Sequence, residues 1–337
     1  MYGSCTRLRA SGATGTVALL LLAGCSSSDG GAGKNPAATA DQRPRGDGPY
    51  WVNPEGSAAR QAAAYAKDGE PGDAELIRRI AEQPVAEWLR PDDPRGAAQG
   101  LTEAAERAGR EAVLVLYNIP HRDCGQFSQG GAADGDAYRA WLDGVAQGIG
   151  DRRATVVLEP DAVLHLVDGC TPRKYHAERY GLLKGAVERL KRQPGTTVYL
   201  DAGNAGWQSP DALFEPLRRA GIEAADGFAV NVSNFRTTAE STDFGKRLSA
   251  KVGGKPFVID TSRNGNGPYE GGDPAEAWCN PPGRALGEPP TTETGDELVD
   301  AYLWIKRPGE SDGECRGGPK AGDWWPAYAR ELARAKK

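Results

Sequence analysis

Six short, continuously apolar runs recur along the chain: residues 112–117 (AVLVLY), 154–158 (ATVVL), 196–200 (TTVYL), 227–230 (GFAV), 256–259 (PFVI) and 301–305 (AYLWI). Continuous rather than alternating hydrophobicity suits strands buried on both faces, as in parallel sheets. Amphipathic stretches lie among them at 101–108, 137–149, 174–190, 210–220 and 239–252. Strand and helix alternating in this way predict a parallel α/β architecture. Residues 50–53 and the stretch around 85–89 offer further strands. The expected fold is therefore an α/β one: a distorted parallel βα barrel, TIM-like, with seven to eight strands.

The region before the first run reads differently. Arg7 and Arg9 form a short positive segment ahead of the apolar run 17–23 (VALLLLA), which is too short to span a bilayer. It ends in Leu22-Ala23-Gly24-Cys25, resembling a bacterial lipobox whose Cys is lipidated. Residues 1–24 are thus expected to be a signal peptide. Residues 25–48, rich in Ser, Gly and Ala, follow as a lipidated Cys25 and a flexible tether. One catalytic domain is expected over 49–337, exported and held at the membrane only through that anchor, or secreted.

Of the six cysteines, Cys5 falls in the signal segment and Cys25 at the lipobox. The remaining four allow three pairings. Neighbour pairing, Cys124–Cys170 and Cys279–Cys315, is preferred over the alternatives. No Cys-x-x-Cys spacing exists and the chain has only three histidines, so no metal is expected. A formal charge of −5 without a basic patch argues against nucleic acid as a partner.

Polar and ionisable residues follow every strand run. The first leads to Asn118, Arg122 and Asp123; the second to Glu159, Pro160 and Asp161; the third to Asp201 and Asn204. The fourth leads to Asn231 and Asn234, the fifth to Asp260 and Arg263, and the last to Lys306, Glu310 and Asp312. In βα barrels the C-terminal strand ends carry the active site. Many carboxylates and few histidines point to acid–base chemistry by Asp and Glu. Glycosidic hydrolysis needs one carboxyl held protonated, and like charges among Asp123, Asp161, Asp201 and Asp312 would favour that. Trp88, Trp207 and Trp278 sit in polar loops at strand ends, where indoles can stack on sugar faces. Trp141 and Trp304 are assigned to packing.

These segments resemble a known family. Val115–Gly125 (VLYNIPHRDCG) and Val157–Asp161 (VLEPD) are similar to signatures of glycoside hydrolase family 6, the inverting cellulases. So are DAGNAGW at 201–207, NVSNF at 231–235, IDTSRNGNGP at 259–268, WCN at 278–280, TTETG at 291–295 and LWIKRPGESDG at 303–313. The resemblance implies a distorted βα barrel, the neighbour disulfide pairing and no cofactor. It implies Asp161 as proton donor, Asp123 as the residue that raises the donor's pKa and steers the water, and Asp312 as candidate base acting through a chain of waters. It further implies that Tyr117 crowds the sugar at the cleavage subsite. Lys306, Glu310, Asn234 and the three tryptophans would bind substrate, supported by Asp201, Arg122 and Arg263.

Three positions depart from the family pattern: Gln129 where a small residue is usual, Asn204 where histidine is common, and Thr237 where an aromatic is frequent. Cys315 also lies one residue further from Asp312 than in close relatives. Only 25 residues follow Asp312, which favours an open cleft over a roofed tunnel. The expected activity is internal cleavage of β-1,4-glucan by a monomer. The alternatives are a cellobiohydrolase acting from chain ends and a non-catalytic glycan-binding lipoprotein.

Overall fold

The computed structural model describes residues 48–273 and 276–334. The expected signal peptide, Cys25 and most of the tether lie outside the described residues. Seven strands form one parallel sheet in sequence order: β1 Glu87–Leu89, β2 Ala112–Leu116, β3 Ala154–Leu158, β4 Thr196–Asp201, β5 Gly227–Val230, β6 Phe257–Asp260 and β7 Val299–Leu303. The sheet curls until the segment entering β1 meets the one leaving β7. Val85 bridges Trp304, the Ala86 N–H donates to the Trp304 carbonyl (2.9 Å), and the Trp88 indole N–H donates to the Ile305 carbonyl (2.8 Å). The result is the distorted parallel barrel that the pattern predicts, with seven strands in one catalytic domain. Tyr50 adds one bridge to Glu111 rather than a strand.

Alternation along β2 shows why the strands read as continuous apolar runs. Val113 and Val115 turn inward to meet Val157, Tyr199, Ala229, Val258 and Ala301 in the barrel interior. Leu114 and Leu116 turn outward, against a layer that includes Tyr138, Leu142, Val145, Leu183 and Val187 from the surrounding helices. Both faces are buried, so neither can be polar.

The helices are α1 Ser57–Lys67, α2 Pro71–Ala81, α3 Pro94–Arg107, α4 Gly135–Ile149, the single turn α5 Leu164–Val167, α6 His176–Leu190, α7 Pro210–Arg219, α8 Thr238–Ser249 and α9 Pro326–Arg334. The sequence pattern did not predict α1 and α2, and α3 starts seven residues before the expected 101. Pro94 supplies a preset φ at the first helical turn, and the Asp93 carboxylate caps the Gly96 N–H (3.0 Å). At Thr237, the family-atypical position, the side chain caps α8 reciprocally with Glu240. That substitution stabilises a helix start.

Buried carboxylates tie the rim together. Glu159 accepts the N–H groups of Asn118 (3.0 Å) and Ile119 (2.9 Å) from the loop after β2. Asp201 accepts the N–H of Asp161 (2.9 Å) from the loop after β3. Asp260 accepts four: Ser233 (2.9 Å) after β5, its own neighbour Ser262 (3.0 Å), and Ile305 (3.2 Å) and Lys306 (2.9 Å) after β7. Truncating Asp260 would leave several buried donors without a partner, each costing about 1–3 kcal/mol. Asp260→Ala is predicted to lower unfolding free energy by about 3 kcal/mol or more in urea titrations; a loss under about 1 kcal/mol would mean the loops are held some other way.

Candidate active site

The strand ends open into one cleft of about 830 Å³. Its walls carry Trp88, Tyr117, Arg122, Asp123, Asp161 and Trp207 on one run of the chain. Asn234, Trp278, Lys306, Glu310 and Asp312 come from the other. These are the residues singled out from the sequence, drawn from the loops after six strands and, for Trp88, from strand β1 itself rather than from a loop. Asp201 and Arg263 do not line the cleft; both are buried behind it.

After β2 the chain passes Tyr117 and turns through Asp123–Gly125, with Asp123 and Cys124 at positive φ (57° and 48°). Arg122 fixes this turn. Its Nε donates to the Ser128 carbonyl (2.9 Å), its Nη1 donates to the Tyr117 carbonyl, and its guanidinium lies 4.6 Å over the Tyr117 ring. The Ser128 N–H donates to Asp123 Oδ2 (2.6 Å). Trp88 meets Tyr117 edge-on at 5.5 Å. The Cys124–Cys170 bridge fastens the turn to the segment after β3, with Cα atoms 5.8 Å apart. Burial raises the Asp123 carboxyl, against the opposing Ser128 N–H.

After β3, Glu159 and Asp161 both take left-handed backbone (φ 49° and 66°) around Pro160. Such conformations cost about 1–3 kcal/mol each for non-glycine residues. The Glu159 and Asp201 hydrogen bonds offset that cost and aim Asp161 at the cleft. Burial pushes Asp161 up to about 7, and the charge of Asp201 adds to it. Burial also pushes Asp201 up to about 7, but amides solvate Asp201. It accepts from Asp161 and, at 3.2 Å, from Gly203. Two buried carboxyls that repel one another tend to hold one proton between them. The amides favour the anion on Asp201, so Asp161 keeps it.

The opposite wall reverses the electrostatics. Asp312 is buried, which alone would raise it, yet two cations more than compensate. Arg263 Nη1 donates to its Oδ2 (2.8 Å), Lys306 Nζ lies 3.3 Å from its Oδ1, and the Asn280 N–H donates at 3.0 Å. Its carboxyl is held below the ordinary carboxylate range. Arg263 has no exposed surface and also donates to the Ser233 carbonyl (2.7 Å) while lying over Phe235. Cys279–Cys315 clamps this wall, with Cα atoms 6.3 Å apart. Glu310 pairs with Arg307 at 2.8 Å, and burial raises its carboxyl and lowers the Lys306 amine.

The neighbour pairing of the four cysteines is therefore the observed one. The sulfurs of Cys124 and Cys170 lie beside His165, so that Cys/His cluster is occupied by a disulfide bond. Asn204, where histidine is common, accepts the Gly206 N–H (2.9 Å) and holds the turn that presents Trp207. Gln129 is exposed at the cleft edge.

Among the lining residues that sequence reasoning missed are Phe127, His165 and Arg307. His165 lies one helical turn after Asp161, donates its N–H to the Asp161 carbonyl (2.9 Å) and meets Trp207 edge-on at 5.6 Å. The turn spacing from Asp161 was the available signal.

A family model, Glycosyl hydrolases family 6, matches residues 46–336. The chain belongs to this family. Endoglucanase A of Cellulomonas fimi is 45% identical over 291 residues, covering 85% of this chain and 61% of that protein. The chain thus spans about three fifths of the length of that relative. Endoglucanase 1 of Streptomyces halstedii is 42% identical over 308 residues, covering 88% of this chain and 92% of the other. Among solved structures, the endoglucanase Cel6 of Mycobacterium tuberculosis, in complex with a methyl-cellobiosyl-4-deoxy-4-thio-β-D-cellobioside, superposes with a TM-score of 0.79. It is 44% identical, covering 86% of this chain and 97% of that one. The family 6 barrel accounts for the seven strands, and both disulfides lie inside the matched region.

Arg263 offers a direct probe of the charged wall. Arg263→Met would leave Asp312 buried with less compensation, which costs about 3–5 kcal/mol when one partner of a buried pair is removed. Because Asp312 is depressed in the fold, its ionised form contributes stability above the unfolded value near pH 4, and that contribution is lost as pH falls. The variant's deficit, measured by denaturant unfolding, is therefore predicted to be large from pH 7 down to about 4 and to shrink as pH falls below 4. A deficit independent of pH would contradict the ion pair.

Proposed function

We propose that the chain hydrolyses internal β-1,4-glucosidic bonds of cellulose or a related β-glucan with inversion. The observation that carries this reading is the opposed electrostatics of two carboxyls on one aromatic-lined cleft. Asp161 is pushed up to about 7 and Asp312 is held low. Environments that drive two carboxyls apart in this way separate acid from anion at the same pH. Asp161 gives its proton to the glycosidic oxygen as the bond to the anomeric carbon breaks. Water attacks that carbon from the opposite face, so the configuration inverts.

Asp123, hydrogen-bonded by Ser128 at the head of its loop, orients the water and adds negative charge near the donor. Asp312 stays ionised, opposes the positive charge that develops on the sugar, and receives the water's proton through intervening solvent. Two cations make it a weak base in direct contact. Tyr117 and Trp88 form the wall beside the donor and favour a distorted ring. Trp207 and Trp278 supply stacking surfaces, while Lys306, Glu310 and Asn234 meet hydroxyls. The internal cleavage mode rests on an open cleft: Trp207, one of its lining side chains, keeps 41% of its surface exposed. The lipobox-like Leu22–Cys25 supports export and membrane attachment through Cys25. Loss of palmitate labelling in Cys25→Ala cells would support it, and equal labelling would refute it.

Asp161→Asn is predicted to cut reducing-sugar release from soluble β-glucan by about 10²–10⁴-fold, as removal of a general acid does. Wild-type activity should fall as pH rises through about 7, where Asp161 loses its proton. Equal release by both proteins would make the chain a glycan binder or place the acid elsewhere. On carboxymethyl-cellulose, viscosity should drop early relative to reducing ends, and NMR should show the α-anomer first. Near-exclusive release of cellobiose with little viscosity loss would indicate a cellobiohydrolase.

A further inference from the structure

Among the described residues, the large apolar side chains left substantially exposed are Trp207 and Phe127, and both face the cleft. Phe127 lies at the tip of the Asp123 loop, with 47% of its surface exposed, and sequence comparison gave it no role. Its ring leans across the cleft to Trp278, centroid to centroid 6.3 Å at 55°. It also lies against Gly313, the residue directly after Asp312. A Cβ there would fall 2.3 Å from the Phe127 ring, and Gly313 has φ 154°. Glycine is therefore required where the two loops meet.

Each end of this contact is fastened to the chemistry. On one side, the Ser128 N–H, adjacent to Phe127, holds Asp123 Oδ2 (2.6 Å). On the other, Trp278 precedes Cys279, whose disulfide to Cys315 brackets Asp312, and the Asn280 N–H binds Asp312 Oδ2 (3.0 Å). An aromatic bridge thus joins the loop of one carboxylate to the loop of the other, over a cleft otherwise open to solvent.

We propose that Phe127 is a specificity-determining residue: with Trp278 it forms an aromatic clasp that retains an internal segment of glucan chain between the Asp123 and Asp312 loops. A sugar face presented to the ring adds apolar contact that solvent otherwise occupies. The clasp slows departure of a bound chain more than its arrival, because a contact added within an existing interface acts mostly on the dissociation rate. This rests on the glucan reading of the site, so binding is measured apart from turnover.

In the Asp161→Asn background, stopped-flow Trp fluorescence with cellohexaose gives association and dissociation rates. Adding Phe127→Ala is predicted to raise the dissociation rate about three- to tenfold, the worth of one aromatic contact, with association unchanged within about twofold. Phe127→Tyr should restore slow dissociation. Combining Phe127→Ala with Trp278→Ala should add little beyond Trp278→Ala alone, because the two rings act as a pair. Cellohexaose binding with a dissociation rate indifferent to Phe127 would overturn the clasp and leave the glucan site standing. Failure of the Asp161→Asn protein to bind cellohexaose at all would overturn both. In the catalytically intact enzyme, Phe127→Ala should also lower the ratio of soluble to insoluble reducing ends released from amorphous cellulose; an unchanged ratio would contradict retention.

Discussion

A backbone amide buried away from water must find an acceptor, and at the rim of this sheet the acceptors are carboxylates from a neighbouring strand. Glu159 reaches back to the loop after β2, Asp201 to the loop after β3, and Asp260 to the loops after β5 and β7. Asn231 extends the pattern by donating its side-chain amide to the Asp260 carbonyl (2.8 Å). These stitches let short strands carry long loops in fixed positions, and they hold Asp161 in a backbone conformation that it would not adopt alone. Burying so many carboxyls raises their proton affinity, so the same groups that order the rim also set its acid–base character.

The two walls use that burial differently. Around Asp161 no Lys or Arg among the described residues is paired with the carboxyl, and the adjacent Asp201 takes the amides. The proton therefore stays on the residue facing the cleft. Around Asp312, a guanidinium with no exposed surface and a nearly buried ammonium reverse the balance. A carboxyl with raised proton affinity and one held low then face the same cleft. Both disulfides lie on these walls, Cys124–Cys170 beside Asp123 and Cys279–Cys315 around Asp312. Covalent stiffness is concentrated where small displacements would cost most.

Much of this was legible in the sequence. The strand runs were visible because both faces of β2 to β6 are buried, and polar residues clustered after each run because the rim is where they are needed. The family-like segments carried Asp161, Asp123 and Asp312, the three aspartates that line the cleft. Helix α1 was not legible, since the alanine-rich Ser57–Lys67 buries only Ala62, whereas α2 could have been found from the helical spacing of Ala74, Ile77 and Ile80. Phe127 escaped because its significance comes from what it touches, Trp278 and Gly313, more than a hundred residues away. His165 could have been found from its spacing to Asp161. The pairing of Arg263 with Asp312 could not, because nothing in either segment reports their approach in space.

The central claim is that Asp161 and Asp312 hold opposite protonation states in the same cleft. Carbon-13 NMR titration of aspartate carboxyls, assigned with Asp161→Asn and Asp312→Asn, measures this directly. The account predicts a resonance lost in Asp161→Asn that titrates near pH 7, and one lost in Asp312→Asn that stays ionised below pH 4. Two ordinary aspartate titrations near pH 4, or the raised value at Asp312 and the low one at Asp161, would contradict it.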